Sequence, residues 1–130
     1  MAEHSNVGLL RKGYEAFARG DMATLTGLFN EGVVWHQPGT SLISGEYRGR
    51  DAVFIFFGRL AEVSGGTFQV ELHDVLANDE HGIALSRETA SRQGKQLDSL
   101  AVHVYHITGG KITEAWSVIQ EQRRYDEFWS

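Results

Sequence analysis

The sequence predicts an α+β fold in which three N-terminal helices pack on a strongly curved, mostly antiparallel sheet. The first half of the 130 residues carries three apolar stripes at helical spacing. The second half carries four segments of alternating apolar and polar residues separated by glycine-containing turns, which is typical of an antiparallel meander. A helical half followed by a strand half implies that the helices cover one face of the sheet. We expect residues 1–130 to form a single domain, because a chain of this length builds one core of ordinary size.

Two helices are predicted in the first thirty residues. An apolar stripe runs over 7–17, and Gly20 is expected to end that helix because glycine adopts the left-handed conformation that follows many helices. Asp21 is expected to cap a short second helix over 22–29, since a carboxylate can accept hydrogen bonds from the first free backbone N–H groups.

The third predicted helix begins after Asp51, its expected cap, and carries an apolar stripe from Val53 to Leu60. Phe54 and Ile55 make this helix apolar around much of its circumference. A helix exposed on one side does not need such a pattern, so we expect burial on more than one side.

The strands are predicted from alternation and from turn residues. Residues 33–37 are β-branched and aromatic, and Pro38 ends this strand before a loop that passes Gly45 and Gly49. The four meander strands are predicted over 67–77, 83–92, 96–108 and 111–121.

Composition argues against several function classes. The chain has 12 basic and 17 acidic residues, a net charge of −5 and no basic run, so binding to nucleic acid is not expected. Cysteine is absent, which rules out disulfides and thiolate chemistry. There is no apolar stretch that predicts a signal peptide or a membrane span, and a cytoplasmic location is expected. Nucleotide-binding loop motifs are absent and the six histidines lack metal-ligand spacing, so neither a cofactor nor a metal is expected.

The strand over 96–108 carries apolar residues on both of its faces. His103 and Tyr105 share one face, and Val102 and Val104 share the other. A sheet whose second face is also apolar needs a cover on that side. We therefore expect a homodimer formed through the outer face of the sheet.

Two further groups of residues have structural interpretations. Phe128 and Trp129 are expected to dock, either at the mouth of a cavity or on a dimer mate, because large aromatic side chains in a solvated tail would be exposed to water. Arg87, Glu88 and Glu114 lie on meander strands and are expected to form cross-strand ion pairs.

Polar side chains on the core-facing side of two strands indicate a pocket. Trp35 and Gln37 share one face of the first strand, as His103 and Tyr105 do on the third meander strand, and buried polar groups need hydrogen-bond partners or a ligand. An apolar cavity in which a few polar atoms orient a small apolar ligand is one interpretation. A hydrogen-bonded core histidine beside a satisfied tyrosine is the alternative. The predicted pocket residues are Trp35, Gln37, Phe17, Phe54, Phe57, Tyr105 and Ile119.

Three short motifs occur in one order along the chain: Gly-Asp at 20–21, Trp-His-Gln-Pro-Gly at 35–39 and Gly-Lys-Ile-Thr-Glu-Ala-Trp at 110–116. With them the chain resembles SnoaL-like members of the nuclear transport factor 2 superfamily over essentially its whole length. The resemblance implies a cystatin-like, cone-shaped α+β barrel around a pocket, usually as a dimer. It leaves the activity open, because that superfamily includes ketosteroid isomerases, polyketide cyclases, other enzymes and catalytically silent carriers.

The resemblance also points to candidate catalytic residues. The position of the isomerase base falls on Gln37, which cannot abstract a proton, and the position of the protonated isomerase acid falls on His103. His103 is therefore the implied acid/base, with Tyr105, Gln37 or Tyr14 orienting a carbonyl group. His36 is a second candidate if a bulge in its strand turns it inward. The candidate catalytic residues are His103, His36 and Tyr14.

Two function classes follow from these observations. One is a cofactor-independent cyclase-like or isomerase-like enzyme that acts on an apolar carbonyl compound by proton transfer. The other is a non-catalytic domain that binds a small hydrophobic ligand or serves as a dimerising accessory module.

Overall fold

The computed structural model describes residues 3–130, in which four helices pack on one six-stranded sheet. The helices are α1 (Ser5–Arg19), α2 (Met22–Leu28), α3 (Arg50–Val63) and α4 (Gln122–Phe128). The strands are β1 (Phe29–Gln37), β2 (Gly45–Arg48), β3 (Gln69–Ala77), β4 (His81–Arg92), β5 (Lys95–Thr108) and β6 (Lys111–Ile119). The predicted α+β class, with three helices before the antiparallel meander, is confirmed.

The order of strands across the sheet is β2, β1, β6, β5, β4, β3. β1 pairs with β6 in parallel, and the other neighbouring pairs are antiparallel. Register shifts interrupt the β1–β6, β3–β4 and β5–β6 pairs, and such bulges bend strands and increase their twist. Over residues 3–130 the sheet is open with β2 and β3 at its edges, so the predicted barrel is a curved sheet that does not close.

One strand forms where the sequence predicts a loop. β2 pairs with β1 and places Tyr47 opposite Trp35. Its four residues are half-buried or exposed and show no alternation of apolar and polar side chains. A strand this short, at the edge of a sheet, carries little signal in its sequence.

The helix ends follow the predictions in two cases and differ in a third. Gly20 has φ 67° and ends α1, and Asp21 caps α2 by accepting a hydrogen bond of 3.1 Å from the Thr24 backbone N–H. The predicted cap at Asp51 is wrong, because that residue lies inside the first turn of α3. Gly49 occupies the cap position with φ 92°, a conformation that glycine adopts at little cost.

The third helix buries less of its surface than its composition predicts. Val53 and Phe56 are buried, but the Ile55 side chain is 67% exposed. The expectation of burial on more than one side is therefore wrong at Ile55, because solvent covers that side of α3.

The first helix lies very close to the sheet. A Cβ atom at Gly82 of β4 would overlap the side chain of Leu10 of α1, so a larger residue at this point of the strand would force Leu10 to shift. Tyr14 lies one turn after Leu10, and the close approach brings it to the inner face of the sheet.

The C-terminal segment packs on its own chain. Tyr125, Phe128 and Trp129 are buried, and the Arg92 guanidinium donates hydrogen bonds to the backbone oxygens of Phe128 and Ser130. A cation at the C-terminal end of a helix is favoured by the helix dipole. Phe128 and Trp129 are docked against their own chain, but the residue of this segment that lines the cavity is Tyr125, so the prediction that they cap the cavity mouth is not met.

Candidate active site

A cavity of about 60 Å³ lies between the inner face of the sheet and the four helices of residues 3–130. A single water molecule needs about 10–15 Å³, so this space has room for a few waters. Aliphatic and aromatic side chains form most of the wall. The polar and titratable side chains that reach the wall are Tyr14, Gln37, Glu88, His103, Tyr105 and Tyr125.

His103 lies at the centre of the polar part of the wall. The alternation of β5 turns it inward between Ala101 and Tyr105, as predicted, and it is 4% exposed. Its Nδ1 atom lies 2.7 Å from the Tyr14 hydroxyl, which in turn lies 2.6 Å from the Tyr105 hydroxyl. We call Tyr105, Tyr14 and His103 the His103 arm.

Glu88 faces His103 from the neighbouring strand β4 and is 2% exposed. Its Oε2 atom lies 3.5 Å from His103 Nε2, and its Oε1 atom accepts a hydrogen bond of 2.6 Å from the Tyr125 hydroxyl. A carboxylate in an apolar interior is costly unless it is paired and hydrogen-bonded, and both oxygens of Glu88 have a polar partner.

A second chain of hydrogen bonds reaches Glu88 from β1. The Trp35 indole donates to Gln37 Oε1 at 3.1 Å, and Gln37 Nε2 donates to the Tyr125 hydroxyl at 3.4 Å. We call Trp35, Gln37 and Tyr125 the Trp35 arm. The two arms meet at Glu88, so one connected network joins α1, β1, β4, β5 and α4.

Burial raises the pKa of each of the three cavity tyrosines, Tyr14, Tyr105 and Tyr125. The negative charge of Glu88 adds to this effect in all three. The hydroxyls therefore stay protonated at neutral pH and serve as hydrogen-bond donors and acceptors.

The arrangement combines an imidazole, a buried carboxylate and three neutral tyrosine hydroxyls in a largely apolar cavity. An imidazole can take up or release a proton, and a carboxylate behind it orients the ring and compensates its positive charge. Hydroxyl donors in a dry cavity stabilise negative charge on an oxygen far better than the same donors in water. Together these groups can support proton transfer next to a carbonyl group.

The structure brings most of the predicted site residues together. The predicted residues that line the cavity are Tyr14, Phe17, Trp35, Gln37, Phe57, His103 and Tyr105. Phe54 and Ile119 are predicted pocket residues that do not line it. Phe54 packs behind the wall, with ring centroids 5.8 Å from Phe29 and 6.1 Å from Phe57, and Ile119 is buried at the end of β6.

The predicted catalytic placement of His36 needs correction, because this residue lies on the opposite face of the sheet from the cavity. Its Nε2 atom lies 2.6 Å from Glu114 Oε2, its Nδ1 atom lies 3.5 Å from Glu46 Oε1, and its ring stacks on Trp116 at 5.3 Å. β1 keeps its regular alternation from Val33 to Gln37, so the bulge that would turn His36 inward does not form there.

Sequence reasoning missed Glu88 and Tyr125 as cavity residues. Cross-strand pairing is expected for Arg87, and it does form, with Asp98. Glu88 has the opposite parity and points inward. The small buried residues at 84, 86 and 90 share its face of β4, and that row indicates a side covered by other elements. No comparable signal exists for Tyr125, which follows the last strand.

Neither a metal-binding cluster nor a membrane-spanning helix occurs within residues 3–130. In that range no three His, Asp or Glu side chains are placed to bind one metal ion. The helices of the same range are too short or too polar to cross a bilayer.

The chain belongs to the SnoaL-like domain family, whose model matches residues 10–115. An uncharacterised protein of Mycobacterium tuberculosis is 37% identical over an alignment of 131 residues, and the alignment covers 100% of this chain and 100% of that protein. The structure of Bal32a, from a soil-derived mobile gene cassette, is 41% identical with a TM-score of 0.93 and covers 96% of each chain. A protein of unknown function with a cystatin-like fold, from Xanthomonas campestris, is 30% identical with a TM-score of 0.89 and covers 95% of this chain and 97% of that one. The predicted SnoaL-like, cystatin-like fold is confirmed.

More distant solved structures share the fold alone. IdmH of Streptomyces antibioticus, a candidate polyketide cyclase, is 17% identical with a TM-score of 0.75 and covers 90% of this chain and 93% of that one. TerC, which was co-crystallised with polyporic acid, is 17% identical with a TM-score of 0.83 and covers 96% of this chain and 98% of that one.

Proposed function

We propose that this protein is a cytoplasmic, cofactor-independent enzyme that binds an apolar carbonyl compound in the cavity and moves a proton with His103. The reaction is cyclase-like or isomerase-like. The observation that carries the proposal is the His103–Glu88 pair, buried in the wall of an otherwise apolar cavity. Burying two ionisable groups is costly, and such pairs concentrate where chemistry uses them.

Each polar residue has a role in this reaction. His103 takes a proton from the carbon beside the carbonyl group, and the electron pair of that C–H bond moves into the carbonyl oxygen. When the substrate is bound, the Tyr14 hydroxyl turns from His103 Nδ1 toward the carbonyl oxygen, which frees Nδ1 to accept the proton. Tyr14 and Tyr105, whose raised pKa keeps them protonated, then donate hydrogen bonds to the developing enolate. In an isomerisation the same proton returns to another carbon. In a cyclisation the enolate carbon attacks a second carbonyl carbon, the electron pair of that C=O π bond moves to its oxygen, and this oxygen takes the proton back from His103.

Similarity to other proteins supports a small-molecule ligand. The family is SnoaL-like, and the fold is shared with a candidate polyketide cyclase, IdmH, and with TerC, which was co-crystallised with polyporic acid. These likenesses support the class of ligand, whereas the proposed chemistry rests on His103 and Glu88.

The small volume of the cavity favours a second candidate function. A ligand of more than a few atoms must displace part of the wall, where Phe17 packs edge-to-face on Phe57 and Phe68 at 5.2 and 6.3 Å. If these rings stay in place, the protein is a non-catalytic binding domain or a dimerising accessory module whose own side chains fill the cavity.

The outer face of the sheet supports the proposal of a homodimer. Leu100 and Val118 are 54% and 53% exposed there, beside the half-buried Val102 and Val104. Contiguous apolar residues in the middle of a sheet favour a protein partner over water. We expect Leu100→Glu to convert a dimer into a monomer in sedimentation analysis, while Arg123→Glu, on exposed α4, leaves the dimer intact.

A thermal-shift screen tests the proposed function. Polycyclic ketones, steroids and short polyketide mimics are added to the purified protein, and a compound at one hundred times its dissociation constant should stabilise by about 2.7 kcal/mol. We expect the shift to be lost in Trp35→Ala and retained in His36→Ala, and each binding compound is then assayed for turnover. A well-folded protein that no compound stabilises would support the accessory-module function instead.

A further inference from the structure

We propose that Tyr125 is a positioning residue that acts through Glu88. It keeps Glu88 as the common acceptor of the two arms, and this keeps the ring hydrogen of His103 on Nε2. The inference rests on the proposed acid/base role of His103. It extends the site to the C-terminal helix α4, which carries Tyr125 into the cavity wall.

The direction of every hydrogen bond in the Trp35 arm follows from one donor. An indole N–H can only donate, so Gln37 Oε1 must accept from Trp35 and the orientation of the amide is determined. Gln37 Nε2 then donates to the Tyr125 oxygen, which leaves the Tyr125 hydrogen for Glu88 Oε1. The arm therefore delivers a donor to Glu88 and satisfies one of its two oxygens.

The second oxygen of Glu88 determines the tautomer of His103. Glu88 Oε2 lies 3.5 Å from His103 Nε2, and a carboxylate at this distance attracts a ring N–H and repels a ring lone pair, so we infer that Nε2 carries the hydrogen. In the neutral ring Nδ1 is then an acceptor, and the Tyr14 hydroxyl at 2.7 Å donates to it. Nδ1 is thus the ring atom through which His103 exchanges a proton with the Tyr14 side of the cavity.

Tyr125 is held rigidly enough to perform this role. The end of α4 is tied down by Arg92, whose guanidinium bonds the backbone oxygens of Phe128 and Ser130. Near the middle of α4 the Asp126 carboxylate accepts a hydrogen bond of 3.2 Å from the Thr40 backbone N–H. Replacing Tyr125 with Phe therefore removes the hydroxyl while the ring keeps its packing.

The test is the tautomer of His103, read from its ring nitrogens by ¹⁵N NMR in the ligand-free protein at an alkaline pH where the spectrum shows a neutral ring. Tyr125→Phe is compared with the wild type. Tyr47→Phe is the matched control, because the Tyr47 hydroxyl donates to the Ile43 backbone oxygen outside the network.

We expect the wild type and Tyr47→Phe to show one tautomer with the hydrogen on Nε2. In Tyr125→Phe the carboxylate loses the donor that orients it, so its hold on the Nε2 hydrogen weakens and part of the neutral rings carry their hydrogen on Nδ1, where it can be donated to the Tyr14 oxygen. The ratio of the tautomers should change by roughly 3- to 10-fold toward Nδ1–H, the size expected for loss of one hydrogen bond. A purely structural tyrosine would lower the melting temperature without changing this ratio.

Two results overturn the proposal: a wild-type ring with its hydrogen on Nδ1, or an unchanged tautomer ratio in Tyr125→Phe. If Tyr125→Phe does not fold, Glu88→Gln removes the carboxylate through which Tyr125 acts, and an unchanged tautomer ratio in that variant also overturns the proposal. Because no ligand is present, failure of this test leaves the proposed function standing. Failure of the ligand screen likewise leaves the tautomer result intact.

Discussion

The sheet carries a histidine–glutamate pair on each of its faces, and the two pairs differ in everything except their chemistry. Inside, His103 and Glu88 lie 3.5 Å apart with side chains 6% and 3% exposed. Outside, His36 and Glu114 lie 2.6 Å apart with side chains 30% and 34% exposed. The shorter contact is the weaker one, because water and salt screen a surface pair and both partners can be solvated when it breaks.

The surroundings of the two pairs explain why only one of them forms a candidate active site. His36 has Glu46 as a second acidic neighbour and stacks on Trp116, on a face without an enclosed cavity in the described chain. His103 instead contacts a neutral tyrosine hydroxyl at the wall of a largely apolar cavity. Burial and the identity of the next hydrogen-bond partner, rather than the distance between acid and base, distinguish the two faces.

The largest difference between the faces should appear in turnover. With a substrate identified by the screen, His103→Gln is expected to lower kcat/KM by about 10²- to 10⁴-fold, the usual contribution of a general acid/base. His36→Gln should leave kcat/KM within about threefold, since a surface pair contributes little. Initial rates at matched enzyme concentration measure both, and an equal loss in the two variants would show that the cavity pair has no special role.

The second largest effect should be a difference between Glu88 and Glu114 in their contribution to the free energy of unfolding. Glu88→Ala leaves the Tyr125 hydroxyl and the His103 Nε2 hydrogen without an acceptor, and we expect a loss of about 2–4 kcal/mol in the free energy of unfolding. For Glu114→Ala the expected loss is about 0–1 kcal/mol. Urea denaturation at neutral pH measures both values. Comparable losses would contradict the claim that Glu88 contributes more to stability than Glu114.

Alkaline pH should lower the stability of the protein through the buried tyrosines of the inner face. The pKa values of Tyr14, Tyr105 and Tyr125 are raised by burial, whereas the unfolded chain releases these protons near the ordinary tyrosine pKa of about 10. Above that pH the unfolded state binds fewer protons than the folded state, so stability is full below about pH 10 and falls as the pH rises further. Urea midpoints measured across this range in wild type and Tyr105→Phe check the prediction. The variant should lose less stability, and a wild-type midpoint that stays constant would refute the argument.

The smallest expected effect is that of salt on the coupling free energy of the two histidine–glutamate pairs. Salt should weaken only the pair on the outer face. In a double-mutant cycle of His36→Gln and Glu114→Gln, the coupling free energy should fall from about 0.5 kcal/mol to near zero at about 1 M salt. The corresponding cycle of His103→Gln and Glu88→Gln should keep its coupling, because bulk ions do not reach the cavity wall. A coupling on the inner face that also vanishes in salt would indicate that solvent reaches Glu88.

Much of the fold and part of the site could be predicted from local patterns. Apolar periodicity located the helices and the meander, and strand parity placed His103, Tyr105, Trp35 and Gln37 on the inner face. Local patterns failed where the signal was short or ambiguous. β2 is a four-residue edge strand, and Glu88 stands next to Arg87, a neighbour that favours a surface ion pair.

By itself the sequence determined helices α1 to α3, the strands other than β2, and which side chains of β1 and β5 face inward, because apolar periodicity is a property of neighbouring residues. Only the tertiary structure decided which polar atoms meet. Tyr14 and His103 are 89 residues apart, and Tyr125 and Glu88 are 37 apart. Their contacts depend on the close approach of α1 to β4 at Gly82, on the docking of α4 and on the curvature of the sheet. Hydrogen bonds form within a few tenths of an ångström of their ideal length, and that precision arises from the packing of the whole chain rather than from any local spacing.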